Sequence, residues 1–306
     1  MSREDFLAIE PKISVIITYY NLGKYIQDCV NSVLNQDYKN FEIIIVNDNS
    51  DEKNFKILRK IAAKNTAIID LNTHLGQFGS FLKGLEASSG DFVCFLNADD
   101  ILLPSYFKIL TKALIDKSVL YGYSNGSKIN EKDELSSMNP AHKQMYKLAD
   151  KIFYKNIQNL YNNKDDFSLK ISTNSPTPFK KHALNIRCAL FRKEVLDILN
   201  LYPDINFWQE DAENIVLSIL NLLGKSVFVS LFCYLFREHN SYFQNNKDYI
   251  LKNEKFYSDI VQMLFDNREK LISKLSKRGY LKILLKIALN SNIKICAKII
   301  KTFAHI

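Results

Sequence analysis

Hydrophobic and polar positions along the first hundred residues alternate between two periods. Ile13-Ser14-Val15-Ile16-Ile17-Thr18 is a short β-rich run between Pro11 and the polar Asn21-Leu22-Gly23, the pattern of a buried strand ending in a loop. From Lys24 to Asn35 the apolar pairs Tyr25/Ile26, Cys29/Val30 and Val33/Leu34 recur every four residues, which predicts a helix lying on a sheet. Phe41 to Val46 is almost continuously apolar, as a parallel strand covered on both faces requires. The alternation continues with a helix at about 53–64, a strand at 67–71, a helix at about 79–87 and a strand at 92–96. Such a series predicts an α/β fold: a Rossmann-like, mostly parallel sheet flanked by helices, with ligands bound beyond the carboxyl ends of the strands.

After Ser124 the pattern weakens. Residues 124–177 are polar, rich in Asn, Lys and Ser, and read as loops and irregular helix covering the cleft. Order returns at 183–199, followed by a helix at about 211–223 and a strand at 226–235 that runs into Phe236-Arg237-Glu238-His239. The longest apolar run, Val227 to Phe236, is about half of the ~20 residues a membrane-spanning helix needs.

Charge changes the picture only at the C-terminal end. Residues 268–306 hold ten Lys or Arg against the single acid Glu269, which accounts for the whole net charge of +8. The stripe 281, 284, 285, 288, 289 is flanked by Lys282 and Lys286. A second stripe of Ile295, Cys296, Ile299, Ile300 and Phe303 opposes Lys294, Lys298 and Lys301. Both are amphipathic helices with a basic face. They suit the surface of an anionic membrane, or packing on the body of the protein or a second subunit with the lysines solvated. No groove of basic residues interleaved with aromatic platforms occurs, so nucleic acid is not an expected partner. The five cysteines lie far apart, four of them in apolar stretches, and the acidic start Glu4-Asp5 is unlike a secretory leader. The expected location is cytoplasmic.

Three predicted strands end in acids or amides: Tyr20-Asn21 after the first, Asn47-Asp48-Asn49-Ser50-Asp51 after the second, and Asn97-Ala98-Asp99-Asp100 after the fourth. In a parallel sheet these loops should converge. Asp48 and Asp51 are also placed to cap the next helix. Adjacent carboxylates such as Asp99 and Asp100 repel one another and gain from a hard cation, Mg²⁺ or Mn²⁺, so a metal is favoured over a cap there.

With these residues quoted, the chain resembles the family 2 glycosyltransferases of the GT-A fold. Pro11 to Asn21 resembles that family's opening strand and loop, and Val46 to Asp51, V-N-D-N-S-D, is similar to its nucleotide-binding loop. Gly84 to Asp100 resembles its G-x-x-x-x-x-G-x-(apolar)₄-D-x-D-D stretch, Glu210-Asp211 its catalytic acid pair, and Tyr234 to Ser241 its Y-x-x-R-x-H-x-x-S ending. The likeness runs over about residues 11–241. It implies a catalytic domain at 1–241, with a donor part at about 11–123 and an acceptor part at about 124–241, followed by a helical extension at 242–306.

The resemblance implies transfer of a sugar from a nucleotide-sugar donor, most simply a UDP-sugar, to a hydroxyl of a glycan or lipid-linked glycan acceptor, with inversion at the anomeric carbon. Asp48 would hydrogen-bond the base and Tyr20 line its pocket. Asn97 would bond a ribose hydroxyl, and Asp99 would hold Mn²⁺ or Mg²⁺. Arg237 and His239 would approach the diphosphate or the metal, and Asp211, beside Glu210, would be the general base. Trp208 is either a platform for the acceptor sugar or a core aromatic. The family's common uses, with a Lys-, Asn- and Ile-rich composition, point to bacterial surface polysaccharide synthesis, peripheral to the inner face of the membrane.

The sequence departs from the family pattern at three places. Asn97 stands where the first Asp of the D-x-D triplet is usual, Asn47 where the base-binding loop has an Asp, and Phe81-Leu82 where an Arg-Asn pair precedes Gly84. Those changes motivate an alternative, a catalytically silent nucleotide-sugar-binding scaffold, against which the presence of Asp99 and Asp211 argues. No G-x-G-x-x-G follows the first strand, which disfavours a dinucleotide oxidoreductase. His74, His142 and His182 carry no expected role.

Overall fold

The computed structural model describes residues 10–61, 66–131, 170–172, 189–196, 225–237 and Glu269. Its first half alternates β1 (Ile13–Tyr19), α1 (Ile26–Leu34), β2 (Phe41–Asn47), α2 (Glu52–Ile61), β3 (Thr66–Asp70), α3 (Gly76–Ala87) and β4 (Phe92–Asn97). There follow β5 (Ile101–Leu102), α4 (Tyr106–Ala113), β6 (Val119–Ile129), β7 (Lys170–Ser172), β8 (Ala189–Arg192), α5 (Lys193–Leu196) and β9 (Lys225–Arg237). These strands form one sheet in the order β3-β2-β1-β4-β8-β6-β9-β5, with β7 paired to β9. The longest pairings are parallel: β1 with β2 and β4, β2 with β3, and β6 with β9. The expected α/β architecture is present.

Residues of β1 are buried on both faces because a helix covers each side of the sheet. Ile13, Val15, Ile17 and Tyr19, spaced by two, share one core with Ile26, Cys29, Val30 and Val33 of α1. Ile16 points the other way, under α3. There Gly84 permits close approach, since a Cβ on it would stand 2.3 Å from Cγ2 of Ile16 and 3.2 Å from Cγ2 of Val46. The glycine of the sequence motif is therefore a helix-to-sheet contact.

At the amino ends of β1 and β2, far from the ligand-binding edge, polar groups lock the strands together. The Glu42 carboxylate accepts from Lys12 Nζ at 2.7 Å, Ser14 Oγ at 2.6 Å and Ser89 N at 2.8 Å. Burial pushes its pKa up, but the hydrogen bonds from Lys12, Ser14 and Ser89 outweigh that and bring it down to about 2. Gly90, the second motif glycine, fits here because a Cβ would lie 2.6 Å from the main-chain nitrogen of Ser14.

The expectation of loop and irregular helix over 124–177 is corrected at two places. Lys170–Ser172 is the strand β7, antiparallel to β9. Residues 124–129 are not loop: β6 continues through them to Ile129, paired in parallel with β9 and shifted in register around Asn125. The polar and small residues that hide this strand serve its packing. Gly126 lies against the Tyr234 ring, where a Cβ would come within 2.3 Å of Cζ, and Ser124 and Ser127 are buried. Helix α3 also starts at Gly76, earlier than expected, with Gly76 at φ 78°. Helix α4, which had no predicted counterpart, packs Tyr106, Phe107 and Leu110 into the core beside α1. No helix among the described residues is long and apolar enough to cross a membrane.

Candidate functional site

The parallel register sets the strand ends level. Tyr19 stands opposite Asn47, Thr18 opposite Asn97, and Asn47 opposite Asp70. The loops that follow therefore meet at one edge, as the sheet pattern predicts. Asp48 N donates to Tyr19 O at 2.9 Å and Ala98 N to Thr18 O at 3.2 Å. Asn21 N donates to Ser50 Oγ at 3.0 Å, and Asp51 N returns a bond to Asn21 Oδ1 at 2.9 Å. Asn21 and Asn49 take left-handed backbone angles, φ 55° and 59°, which asparagine tolerates better than most residues.

The two aspartates of the second loop separate in role. Asp51 caps α2, accepting from Asn54 N at 2.8 Å, and the bonds from the Asn54 backbone and side chain lower its pKa. The Tyr19 hydroxyl, beside it, is pushed up to about 12 by burial and then by the Asp51 charge, and donates to Asn54 O at 2.9 Å. Asp48 does not cap α2. It is buried, and its Oδ1 accepts from Leu75 N at 2.6 Å, at the threshold of α3. Its Oδ2 stands 2.8 Å from Nδ1 of His74. The His74 ring in turn lies 4.2 Å, centroid to centroid and tilted by 30°, from that of Tyr20, which is exposed.

The fourth strand ends beside this group. Gln77 Nε2, in the first turn of α3, contacts Asn97 Oδ1, so the segment 74–77 touches both the Asp48 and the Asn97 loops. Beneath Asn97, Cys29 Sγ donates to its main-chain oxygen at 3.2 Å, and burial, followed by the Asp100 charge, holds the thiol well above its ordinary pKa. Asp99 is half-buried, whereas Asp100 is buried with Oδ1 accepting from Arg237 N at 3.1 Å.

Arg237 is placed by β9 and lies largely inside the protein. Its Nε donates to Asp99 O at 3.2 Å and its Nη1 to Asn130 O at 2.9 Å, with the guanidinium carbon 4.5 Å from the Tyr25 ring centroid. These bonds fix the Asp99-Asp100 loop between the ends of β6 and β9. Of the departures from the family pattern, Asn47 donates to Asp70 Oδ1 at 2.7 Å, bridging the ends of β2 and β3. Phe81 is buried in the core beside Phe78, their centroids 5.7 Å apart, while Lys83 turns outward to Glu86 at 2.9 Å.

A divalent cation suits Asp99 in a limited way. Among the described residues no three His, Cys, Asp or Glu side chains are grouped to hold a metal. One part-exposed carboxylate, with its neighbour Asp100 turned to the backbone, fits an ion that takes most of its oxygen ligands from phosphates and water. Trp208, Glu210, Asp211, His239 and the tail helices beyond 281 lie outside the described residues.

His74, which carried no expected role in the sequence, and Gln77, which was not singled out there, each touch a candidate site residue. The available signal was topological. The loop after β3 must return to the same edge as the loops after β1 and β2, so its polar side chains arrive beside theirs.

The sequence profile described as Glycosyl transferase family 2 matches residues 14–197. Glycosyltransferase GlyA of Streptococcus pneumoniae is 28% identical over 128 residues, covering 42% of this chain and 18% of that protein. The GalNAc(5)-diNAcBac-PP-undecaprenol beta-1,3-glucosyltransferase of Campylobacter jejuni is 34% identical over 96 residues, covering 30% of this chain and 31% of its own. The likeness thus spans less than a third of each relative's length. The crystal structure of S. aureus TarS 1-349 in complex with UDP shares the fold, with a TM-score of 0.57 at 18% identity over 94% of this chain and 68% of that one.

Proposed function

The chain belongs to glycosyl transferase family 2, and from that membership we propose that it transfers a sugar, with inversion, from a UDP-sugar to a hydroxyl of a surface-polysaccharide or lipid-linked glycan acceptor. The observation that carries this reading is the convergence of Tyr20, Asp48, Asn97 and Asp99 at the carboxyl ends of β1, β2 and β4. Ligands of open α/β sheets bind at that edge. Two likenesses lend chemistry to it: the fold neighbour was crystallised with UDP, and the Campylobacter relative is a glucosyltransferase of an undecaprenol-linked glycan.

In this reading Tyr20 and Asp48 form the base end of the donor site, and Asn97 meets the ribose. Asp99, with His239, would hold Mn²⁺ or Mg²⁺, which would supply Lewis-acid neutralisation of charge on the departing diphosphate. Arg237 keeps the Asp99 loop in place at the phosphate end. Asp211, seconded by Glu210, takes the proton of the acceptor hydroxyl as its oxygen bonds to the anomeric carbon. The bond from that carbon to the diphosphate breaks on the opposite face, so the anomeric configuration inverts. Trp208 lies against the acceptor sugar, and the basic tail brings the protein to the anionic membrane face that carries a lipid-linked acceptor.

The test is UDP release from UDP-sugars in the presence of lipid-linked glycan acceptors. Asp211→Asn should lower turnover by about 10²-fold or more while UDP binding is retained. Turnover equal to wild type in that variant removes Asp211 as the base.

A further inference from the structure

We propose that Ser32 and Gln36, on the buried face of α1 and in the turn that follows it, are positioning residues for Asp99, a role that rests on the metal-assisted donor reading above. Together with Cys29 they are spaced by three and four, so all three share one face of the helical path. That face holds main chain on both sides of Asp99. On the amino side, Cys29 Sγ donates to Asn97 O at 3.2 Å. On the carboxyl side, Ser32 Oγ accepts from Leu102 N at 3.1 Å, Gln36 Nε2 donates to Leu103 O at 2.8 Å, and Gln36 Oε1 accepts from Phe107 N at 3.2 Å.

Packing alone does not call for these side chains. Their inward neighbours on α1, Ile26, Val30 and Val33, are apolar, and a buried amide is costly unless its bonds are made. Gln36 is fully buried and makes them, its Nε2 donating also to Ser32 O at 3.0 Å. The Ser32 hydroxyl gives its proton to Cys29 O at 2.6 Å, which turns a lone pair to Leu102 N. From β9, Arg237 bonds Asp99 O at 3.2 Å and, through its main-chain nitrogen, Asp100 at 3.1 Å. The backbone around Asp99 is thus tied to two elements, while the carboxylate itself is part-exposed at the ligand-binding edge. A carboxylate that shares an ion with phosphates and water binds it well only when held in one place, and groups behind a metal ligand do that holding.

The experiment is calorimetric titration of the full chain with UDP at a series of Mn²⁺ concentrations, under conditions where urea unfolding shows each variant to be folded. The readout is the Mn²⁺ concentration that gives half-maximal UDP binding. Gln36→Met and Ser32→Ala should each raise it by about tenfold, the loss typical of a residue behind a metal ligand. Glu42→Gln, at the opposite end of the strands, is the control: it lowers stability and should leave that concentration at the wild-type value. If Gln36→Met does not fold, Ser32→Ala decides alone. A wild-type concentration in either folded variant, or the same rise in Glu42→Gln, overturns this inference and leaves the donor-site reading intact. Wild type that does not bind UDP at any Mn²⁺ concentration overturns the UDP-donor reading and this inference with it.

Discussion

The Nε of Arg237 donates to the main-chain oxygen of Asp99 at 3.2 Å, joining the last residue of β9 to the loop after β4 although 138 positions separate them in sequence. The main-chain nitrogen of the same arginine donates to Asp100, and its Nη1 to Asn130 O, so three chain segments depend on one side chain and its backbone. In this chain the cation that the family pattern aligns with the diphosphate is bonded to the loop that carries Asp99.

Arg237→Met should therefore lower stability as well as donor binding. Removing the guanidinium takes one donor from each of the part-buried carbonyls of Asp99 and Asn130, at about 1–3 kcal/mol for each that water cannot reach. Urea unfolding of the variant measures this directly. Wild-type stability with weakened UDP binding would show instead that the guanidinium acts on the ligand.

The two neighbouring acids should behave differently. Asp99→Ala is expected to abolish Mn²⁺-dependent UDP binding while the fold remains as stable as wild type, because Asp99 is the part-exposed member. Asp100→Ala, which strips an acceptor from Arg237 N inside the protein, should destabilise by about 1–3 kcal/mol. Calorimetry and unfolding of both variants separate the roles; equal loss of Mn²⁺-dependent binding with no loss of stability in either would contradict the division.

Glu42 gives a pH signature. Its folded pKa of about 2 lies below the ordinary 4.5, so its contribution is fully present above the unfolded value and is lost as pH falls through the folded one. Glu42→Gln should be less stable than wild type by a constant margin from neutral pH down to about 5, and that margin should shrink as pH falls further toward 2. Urea midpoints measured across this range test it. A margin independent of pH would mean that the Lys12, Ser14 and Ser89 bonds do not act through the charge.

Gly84→Ala sets two effects against each other. Alanine in an exposed helix gains about 1 kcal/mol over glycine. Here its Cβ would come within 2.3 Å of Ile16 Cγ2, and forcing an extra methyl into a packed contact costs about 1–3 kcal/mol. Overpacking wins, and the melting temperature should fall. A rise would show that α3 can lift off β1 freely.

The first half of the fold was legible because β1, β2 and β4 are covered by helices on both faces and so are written as continuous apolar runs, with α1 betrayed by its four-residue stripe. β6 was not legible, since the feature that makes Gly126 and Ser127 a strand is the Tyr234 ring and the parallel pairing of β9, about a hundred residues away. The placement of Asp48 and Asn97 at one edge followed from the parallel sheet. His74 was hidden for a different reason: a single histidine in a polar loop carries no period, and its meaning comes from Asp48 and Tyr20, which reach it from two other strands. Asp51 looked like either a cap or a ligand, and only the 2.8 Å bond from Asn54 N identifies the cap.

The most direct test of the account is calorimetric titration of the protein with UDP, GDP and other nucleoside diphosphates, once with Mn²⁺ and once with a chelator. The account predicts binding of one nucleotide, with UDP the expected one, that is lost in chelator and in Asp99→Ala. Absence of binding to every nucleotide in Mn²⁺ would contradict the donor site at the ends of β1, β2 and β4.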